Sequence, residues 1–375
     1  MRSGQAPRRG PGPGTWIAVV AAVLVLAGAL VTMVRSVRPA ARPTVGAAAP
    51  TVAAAAPTTA PTTTPPAARI TLAFAGDVHF AERTATRLAA NPDTAFGEAA
   101  TALRAADLTM VNLETAVTER GTPEPKEFHF RTPATAFTAL RAAGVDVATM
   151  ANNHAADYGE VGLADTLAAI RSTRFPTIGI GADAARAYAP YYVTVRGHLV
   201  ALLAASQIRD RTLAACTAGP TSAGIASAYD DRLVAAVQAA RDQAEIVVVY
   251  LHWGVEGQGC PSGDQRALAA RLAAAGADAV VGTHAHLLLG AGYLGSTYVG
   301  YGLGNYLWWR NSAYSDDTGV LRLTFAGRRV VGAALAPARI DGRGVPVPAT
   351  GDTAARIQRK WAGLVGCTGL ATGPS

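Results

Sequence analysis

From residue 69 onward, short apolar runs alternate with longer stretches in which apolar and polar residues mix. Runs of four to eight apolar residues bounded by polar residues or glycine read as buried strands. They fall at 70–75, 108–113, 145–150, 177–180, 245–251 and 278–281. The intervening segments read as helices over 84–106 (broken near Asn91-Pro92), 134–143 (stopped by Gly144), 161–173, 228–244 and 265–275. Segments 191–195 and 199–204, joined by Arg196-Gly197-His198, read as a hairpin. Further strands are expected at 298–301, 320–325 and 330–335, and a short helix around 354–364. Alternating strand and helix with an excess of strands late in the chain predicts an α/β protein of two packed sheets flanked by helices. Roughly 300 residues are ample to bury such a core.

The segment before residue 69 has another pattern. From Trp16 to Val34 it is apolar apart from Thr32, about the length that crosses a hydrocarbon core as a helix. Arg2, Arg8 and Arg9 precede it and Arg35, Arg38 and Arg42 follow, so charge leaves its orientation open. A cleavable signal peptide has a shorter apolar stretch, which favours an uncleaved signal anchor. Residues 37–68 are almost exclusively Pro, Ala and Thr, a composition that forms a disordered, semi-rigid spacer. The expected order is therefore a basic tail (1–14), a transmembrane anchor (15–36), a linker (37–68), a globular domain (69–346) and a C-terminal extension (347–375). Such a single-pass layout suits a domain held outside a bacterial cell membrane.

Charge and cysteine content add little. The net charge of +7 belongs to the anchor flanks: the first 68 residues hold six arginines and no acid, and the remaining 27 basic residues face 26 acids. Nothing in that balance marks a nucleic-acid partner; the membrane is the partner it points to. Cys216 and Cys260 lie in loops and could pair, leaving Cys367 over, while three free buried thiols fit equally well.

The chemistry lies where the strands end. Five of the seven histidines sit in ordered clusters with acids and asparagines. These are Gly76-Asp77-Val78-His79, Asn112-Leu113-Glu114, Asn152-Asn153-His154, His252-Trp253-Gly254 and Gly282-Thr283-His284-Ala285-His286. Each follows an apolar strand, and the carboxyl ends of strands are where sites assemble in open α/β sheets. Asp, Glu, Asn and His supply the oxygen and nitrogen atoms that hold divalent first-row metals. The set exceeds what one ion needs and suits two adjacent ions, a device for hydrolysing phosphate esters. Asp157, three residues beyond His154, is placed to orient its ring. His198 sits in a turn and draws no role. His129 lies in an alternating Phe128-His129-Phe130-Arg131 run, where Arg131 is a candidate to meet an anionic substrate.

The ordered motifs resemble those of the calcineurin-like metallophosphoesterases, and within them the CapA-type capsule, or poly-γ-glutamate, synthesis proteins. The match rests on Phe74-Ala75-Gly76-Asp77, Val111-Asn112-Leu113-Glu114, Ala151-Asn152-Asn153-His154 with Asp157-Tyr158-Gly159, His252-Trp253-Gly254, Gly282-Thr283-His284-Ala285-His286 and Gly302-Leu303-Gly304-Asn305-Tyr306. It spans roughly residues 69–310. The resemblance implies a four-layer α-β-β-α sandwich with a site for two divalent ions (Mn, Fe or Zn). It implies that Asp77, His79 and His286 hold one ion and Asn153, His252 and His284 the other. Glu114 stands where the wider family has a bridging Asp. His154 would be the acid that protonates the leaving oxygen, with Asp157 behind it and Asn112 beside substrate. The implied substrate is a phosphoester or an anionic envelope polymer, handled with membrane partners of capsule synthesis. The rival to a hydrolase is a non-hydrolytic component of a capsule or poly-γ-glutamate assembly whose ions grip carboxylates of the polymer, and an enzyme acting on the polymer's amide bonds ranks third.

Overall fold

The strand Arg69–Val78 is buried along all but its first residues, and its side chains alternate between two cores. Ile70, Leu72 and Phe74 point to one side and Ala73, Ala75 and Val78 to the other. The structure, a computed structural model, describes residues 68–375. The expected tail, anchor and nearly all of the linker lie outside the described residues. Among the described residues no helix is long and apolar enough to cross a membrane.

Two sheets form the centre. In the first, the strand order is Pro346–Pro348, Arg329–Ile340, Asp317–Ala326, Arg69–Val78, Leu108–Leu113, Val147–Thr149 and Thr177–Ile178, with Asn305–Leu307 pairing the end of Arg69–Val78. The second runs Ala291–Leu294, Thr297–Gly300, Ala279–His284, Ile246–Trp253, His198–Ser206 and Tyr191–Val195. In both, the strands that carry the polar clusters are parallel, as βαβ connections require.

The sheets pack face to face. Leu72, Phe74, Met110 and Leu323 of one share a core with Leu202, Val248, Tyr250 and Val281 of the other. The Tyr250 hydroxyl donates across the gap to the Ala75 carbonyl at 2.6 Å. The outer face of the first sheet is covered by helices that include Glu82–Ala90, Thr135–Ala143 and Gly159–Thr173. That of the second is covered by Asp231–Arg241 and Gly263–Ala274. The layers are therefore helix, sheet, sheet, helix.

Two local readings change. The single strand expected over 177–180 is split, because Gly179 takes a left-handed φ of 78° and sends Ile180–Gly181 to pair with Gly224–Ile225 instead. Cys216 does not pair with Cys260: the disulfide joins Cys260 to Cys367, and Cys216 is free and buried. That pairing becomes possible only because residues 347–375 fold back. The helix Gly351–Gly363 buries Ile357 against Leu288 and Leu335. Arg356 and Lys360 on the same helix reach Asp317. Residues 68–375 thus form one compact unit, with the C-terminal segment packed as part of it.

Candidate metal centre

Parallel pairing brings the carboxyl ends of the cluster-bearing strands to one rim. Asp77 pairs with Asn112 and with Asn305 in the first sheet. His252 pairs with Ser206 and Thr283 in the second. Two glycines permit the close packing behind them. A Cβ on Gly76 would sit 1.9 Å from the Gly304 carbonyl oxygen, the acceptor for the Asp77 N–H at 3.0 Å. A Cβ on Gly282 would sit 2.0 Å from Trp253 Nε1, which donates to Tyr301 O. The His-x-His segment does not reach the rim as a plain strand. His284 and His286 have φ of 93° and 57°, conformations that cost non-glycine residues of order 1–3 kcal/mol each and that collect at functional sites.

Glu114 is the hub. Its Oε2 accepts from His79 Nε2 at 2.9 Å, and its Oε1 lies 3.2 Å from His252 Nε2 and 4.0 Å from His154 Nε2. Around it, ligand atoms of Glu114, His252 and His284 lie within 4.8 Å of one another, as do those of Asp77, Glu114 and His286. One carboxylate therefore belongs to two donor groups. His252 Nε2 also meets His284 Nδ1 at 3.0 Å and Asn153 Oδ1 at 2.8 Å, so these three converge as well. Glu114 Oε1 and His79 Nδ1 are buried without a hydrogen-bond partner, and His286 Nδ1 has only Asp77 Oδ2 at 3.3 Å. Unpaired nitrogen and oxygen donors packed this closely are costly unless something cationic joins them. The donor set fits divalent ions.

The electrostatics agree with that. Burial would raise the Glu114 carboxyl, but His252 and His79 override it and hold it well below the usual carboxylate range. Burial, aided by His252 and His286, pushes His284 well below an ordinary histidine, so its ring is a neutral donor. Burial likewise lowers His79. For His286, burial opposes the charged form, yet the Asp77 hydrogen bond and the field of Glu114 raise it to about 9. A ring so eager for positive charge sits in a negative pocket, the condition a cation would relieve.

A second arm flanks the hub. His154 Nδ1 donates to Asp157 Oδ2 at 2.7 Å, which turns Nε2 toward Glu114. Asp157 Oδ2 also accepts from the Phe130 N–H at 2.6 Å. Lys126 Nζ stands 2.5 Å from Asp157 Oδ1 and donates to the Asn153 carbonyl at 2.5 Å.

Not every expected residue faces the site. Asn112 is fully buried and committed to other side chains: it donates to Asp77 Oδ1 at 2.8 Å and accepts from Asn152 at 2.9 Å. It braces Asp77 instead of lying beside substrate. Arg131 is exposed, with its guanidinium 4.7 Å above the Tyr158 ring. His79 belongs to neither donor group; its ring stands edge-on between Phe130 and Trp308, at 4.1 and 4.5 Å. The sequence reading passed over Lys126, one of only two lysines in the chain, and Glu256, whose carboxylate lies 3.9 Å from His286 Nε2. The rarity of lysine was the one available signal for the first. Nothing local marked the second.

Comparison with known proteins bears on the same stretch. The family model described as "Bacterial capsule synthesis protein PGA_cap" matches residues 71–308, from the first strand to the cleft beside the site. The chain belongs to this capsule synthesis family. Among relatives, a PGA biosynthesis protein CapA from Bacillus subtilis is 29% identical over 261 residues, covering 68% of this chain and 67% of that one. A capsule biosynthesis protein CapA from Bacillus anthracis is 31% identical over 201 residues, covering 52% of this chain and 48% of that one. The chain thus spans about half to two thirds of the length of these family members. The NAD nucleotidase of Haemophilus influenzae aligns over 82% of this chain and 58% of its own, at 14% identity and a TM-score of 0.43, a likeness that decides nothing about activity.

Proposed function

We propose that this protein is a membrane-anchored hydrolase of phosphoester type that uses two divalent ions. Its domain would face outward from the cell, in the metabolism of a capsule or poly-γ-glutamate polymer. The observation that carries this reading is Glu114, a buried carboxylate shared by two donor groups and left with an unpaired oxygen. The four-layer arrangement is the one expected of a metallophosphoesterase domain. Membership of the capsule synthesis family supports the polymer, and the apolar segment over 15–36 supports the anchor.

When bound, such ions lower the pKa of a shared water and offset charge on an attacked phosphoryl group. The remaining work falls to side chains. Asp77 with His286, and Asn153 with His252 and His284, would hold the ions on either side of Glu114, with His79 steadying that carboxylate. Asp157 fixes the His154 tautomer, so that Nε2 faces the rim and can pass a proton to a departing oxygen. Asn112 and Asn152 keep Asp77 and the His154 backbone in place through hydrogen bonds.

The test uses the full chain in detergent, its metal content measured and an aryl phosphodiester assayed with added manganese. His154→Ala is expected to keep its metal and lose turnover by about 10²–10⁴-fold, the usual worth of a positioned acid. Metal bound with no turnover on any ester would defeat the hydrolase reading. It would leave a polymer-binding component of the synthesis machinery in its place.

A further inference from the structure

Glu256 has no part in the mechanism above, yet it stands over the His-x-His turn. That turn holds His284 and His286 at left-handed φ of 93° and 57°, so the surrounding structure must keep it in place. One tie comes from the loop that carries Glu256. The Gly257 N–H donates at 3.0 Å to the carbonyl of Ala285, the residue between the two histidines. The loop is itself pinned: the Tyr314 hydroxyl donates to the Gly257 carbonyl, and Cys260 is bridged to Cys367. The Glu256 backbone is thereby fixed beside the rim. A carboxylate oxygen of Glu256 lies within 4.8 Å of a ring nitrogen of His284 and of one of His286. An acid on a free surface loop is simply solvated; this one is tied to the backbone of the segment it overlooks.

The two nitrogens of His286 face different neighbours. Nδ1 is buried and lies 3.3 Å from Asp77 Oδ2, on the side of the expected ion. Nε2 is turned toward Glu256 Oε1 at 3.9 Å, beside a cleft of about 480 Å³ that both residues line. An imidazole that binds an ion through one nitrogen carries its proton on the other, and that N–H needs an acceptor to fix the ring. The Glu256 side chain is 61% exposed, so one bridging water or a small turn of the carboxylate spans the gap. We propose that Glu256 is a positioning residue that accepts from the Nε2–H of His286 and so holds Nδ1 toward the ion beside Asp77. The inference rests on the two-ion reading above and adds to it the residue that sets how firmly the ion of Asp77 and His286 is held.

The experiment uses the full chain in detergent, stripped with EDTA and titrated with manganese while the resonance signal of the free ion is followed. The parent is expected to take up two ions. Glu256→Ala should loosen one of them about tenfold and leave the other unchanged. Loss of a partner behind a ligating histidine costs about 10–100-fold, and a carboxylate largely in water belongs at the low end. The variant changes an exposed side chain, so its Tm should stay within about 1 °C of the parent's. Salt separates positioning from a mere field effect. At 1 M the screening length falls to about 3 Å, so a loss due only to the acid's charge would fade, whereas the tenfold gap is expected to persist. Equal manganese affinity in variant and parent, or a gap that closes at 1 M salt, would overturn the proposal. A third ion in the parent that vanishes in the variant would make Glu256 a ligand in its own right and overturn it too. Should Glu256→Ala melt well below the parent, Glu256→Gln decides; its neutral acceptor makes a weaker hydrogen bond, and about a threefold loss is expected. A parent that takes up no manganese would sink the two-ion reading together with this inference. Two ions bound without ester turnover would sink only the hydrolase reading, and turnover with manganese affinity equal in parent and variant would sink only the role of Glu256.

Discussion

Replacing Lys126 with Met probes the arm that orients His154. The ammonium lies 2.5 Å from Asp157 Oδ1, and the two side chains are 16% and 0% exposed. Without it, Asp157 keeps the Phe130 N–H and the His154 ring on one oxygen, and the other is left buried without its counter-charge. Breaking a wholly buried ion pair from one side costs about 3–5 kcal/mol. This lysine keeps some contact with water, so about 2 kcal/mol is expected. At about 2 °C per kcal/mol for a chain of this size, Tm should fall by about 4 °C. Removing both charges, Lys126→Met with Asp157→Asn, should recover much of that loss, because the penalty comes from the stranded carboxylate. In the phosphodiester assay the single variant should lose kcat by about tenfold with little change in KM, as expected when orientation of the acid is lost. Thermal melts of the four proteins in the cycle provide the check. A Lys126→Met melt within about 1 °C of the parent, with additive single changes, would mean that the lysine is only solvated and that the arm is misread.

Two further outcomes test the tail. The Cys260–Cys367 bridge closes a sequence separation of 107 residues, and constraint of the unfolded chain is worth about 4–5 kcal/mol at that length. Cys367→Ser and reduction of the parent should lower Tm equally, while buried Cys216 stays unreactive to a thiol reagent until the protein unfolds. The second concerns pH. Hydrogen bonds from Arg356, then from Lys360, hold the Asp317 carboxyl below its ordinary value against the opposing effect of burial. The stability it lends is complete above the unfolded carboxylate pKa and is lost as pH falls through the lower folded value. Amide protection factors over 351–363, taken against the intrinsic exchange rate at each pH, should therefore be flat from neutral pH to about 5 and fall below about 4. Asp317→Asn should raise exchange at neutral pH and remove the dependence; unchanged neutral exchange in that variant would refute the docking role.

Much of the framework was visible as pattern. The runs at 108–113 and 245–251 became the strands Leu108–Leu113 and Ile246–Trp253 because fully buried parallel strands are apolar throughout. The second strand runs past Leu251 to include His252 and Trp253, since neighbours on both sides continue the pairing. The helical stretch expected over 84–106 is broken near Asn91-Pro92 as the sequence predicts and again around Gly97, which leaves three short pieces. Alanine-rich sequence gives no polar face to mark the second break. The 347–375 segment was legible as a helix but not as part of the core, because one buried residue, Ile357, does not produce a periodic signal.

The sequence by itself determined the strand–helix rhythm and the placing of a polar cluster after each of several buried strands, because both depend on residues adjacent in the chain. Only the tertiary structure decided that Glu114 lies between two donor groups, that Asn112 braces Asp77, that Arg131 stacks on Tyr158 and that Cys260 meets Cys367. Those facts depend on strand order, on a left-handed turn at His284 and His286, and on a tail that folds back. A side chain's partners are set by through-space neighbours tens to hundreds of residues distant, and no local pattern of polarity encodes them.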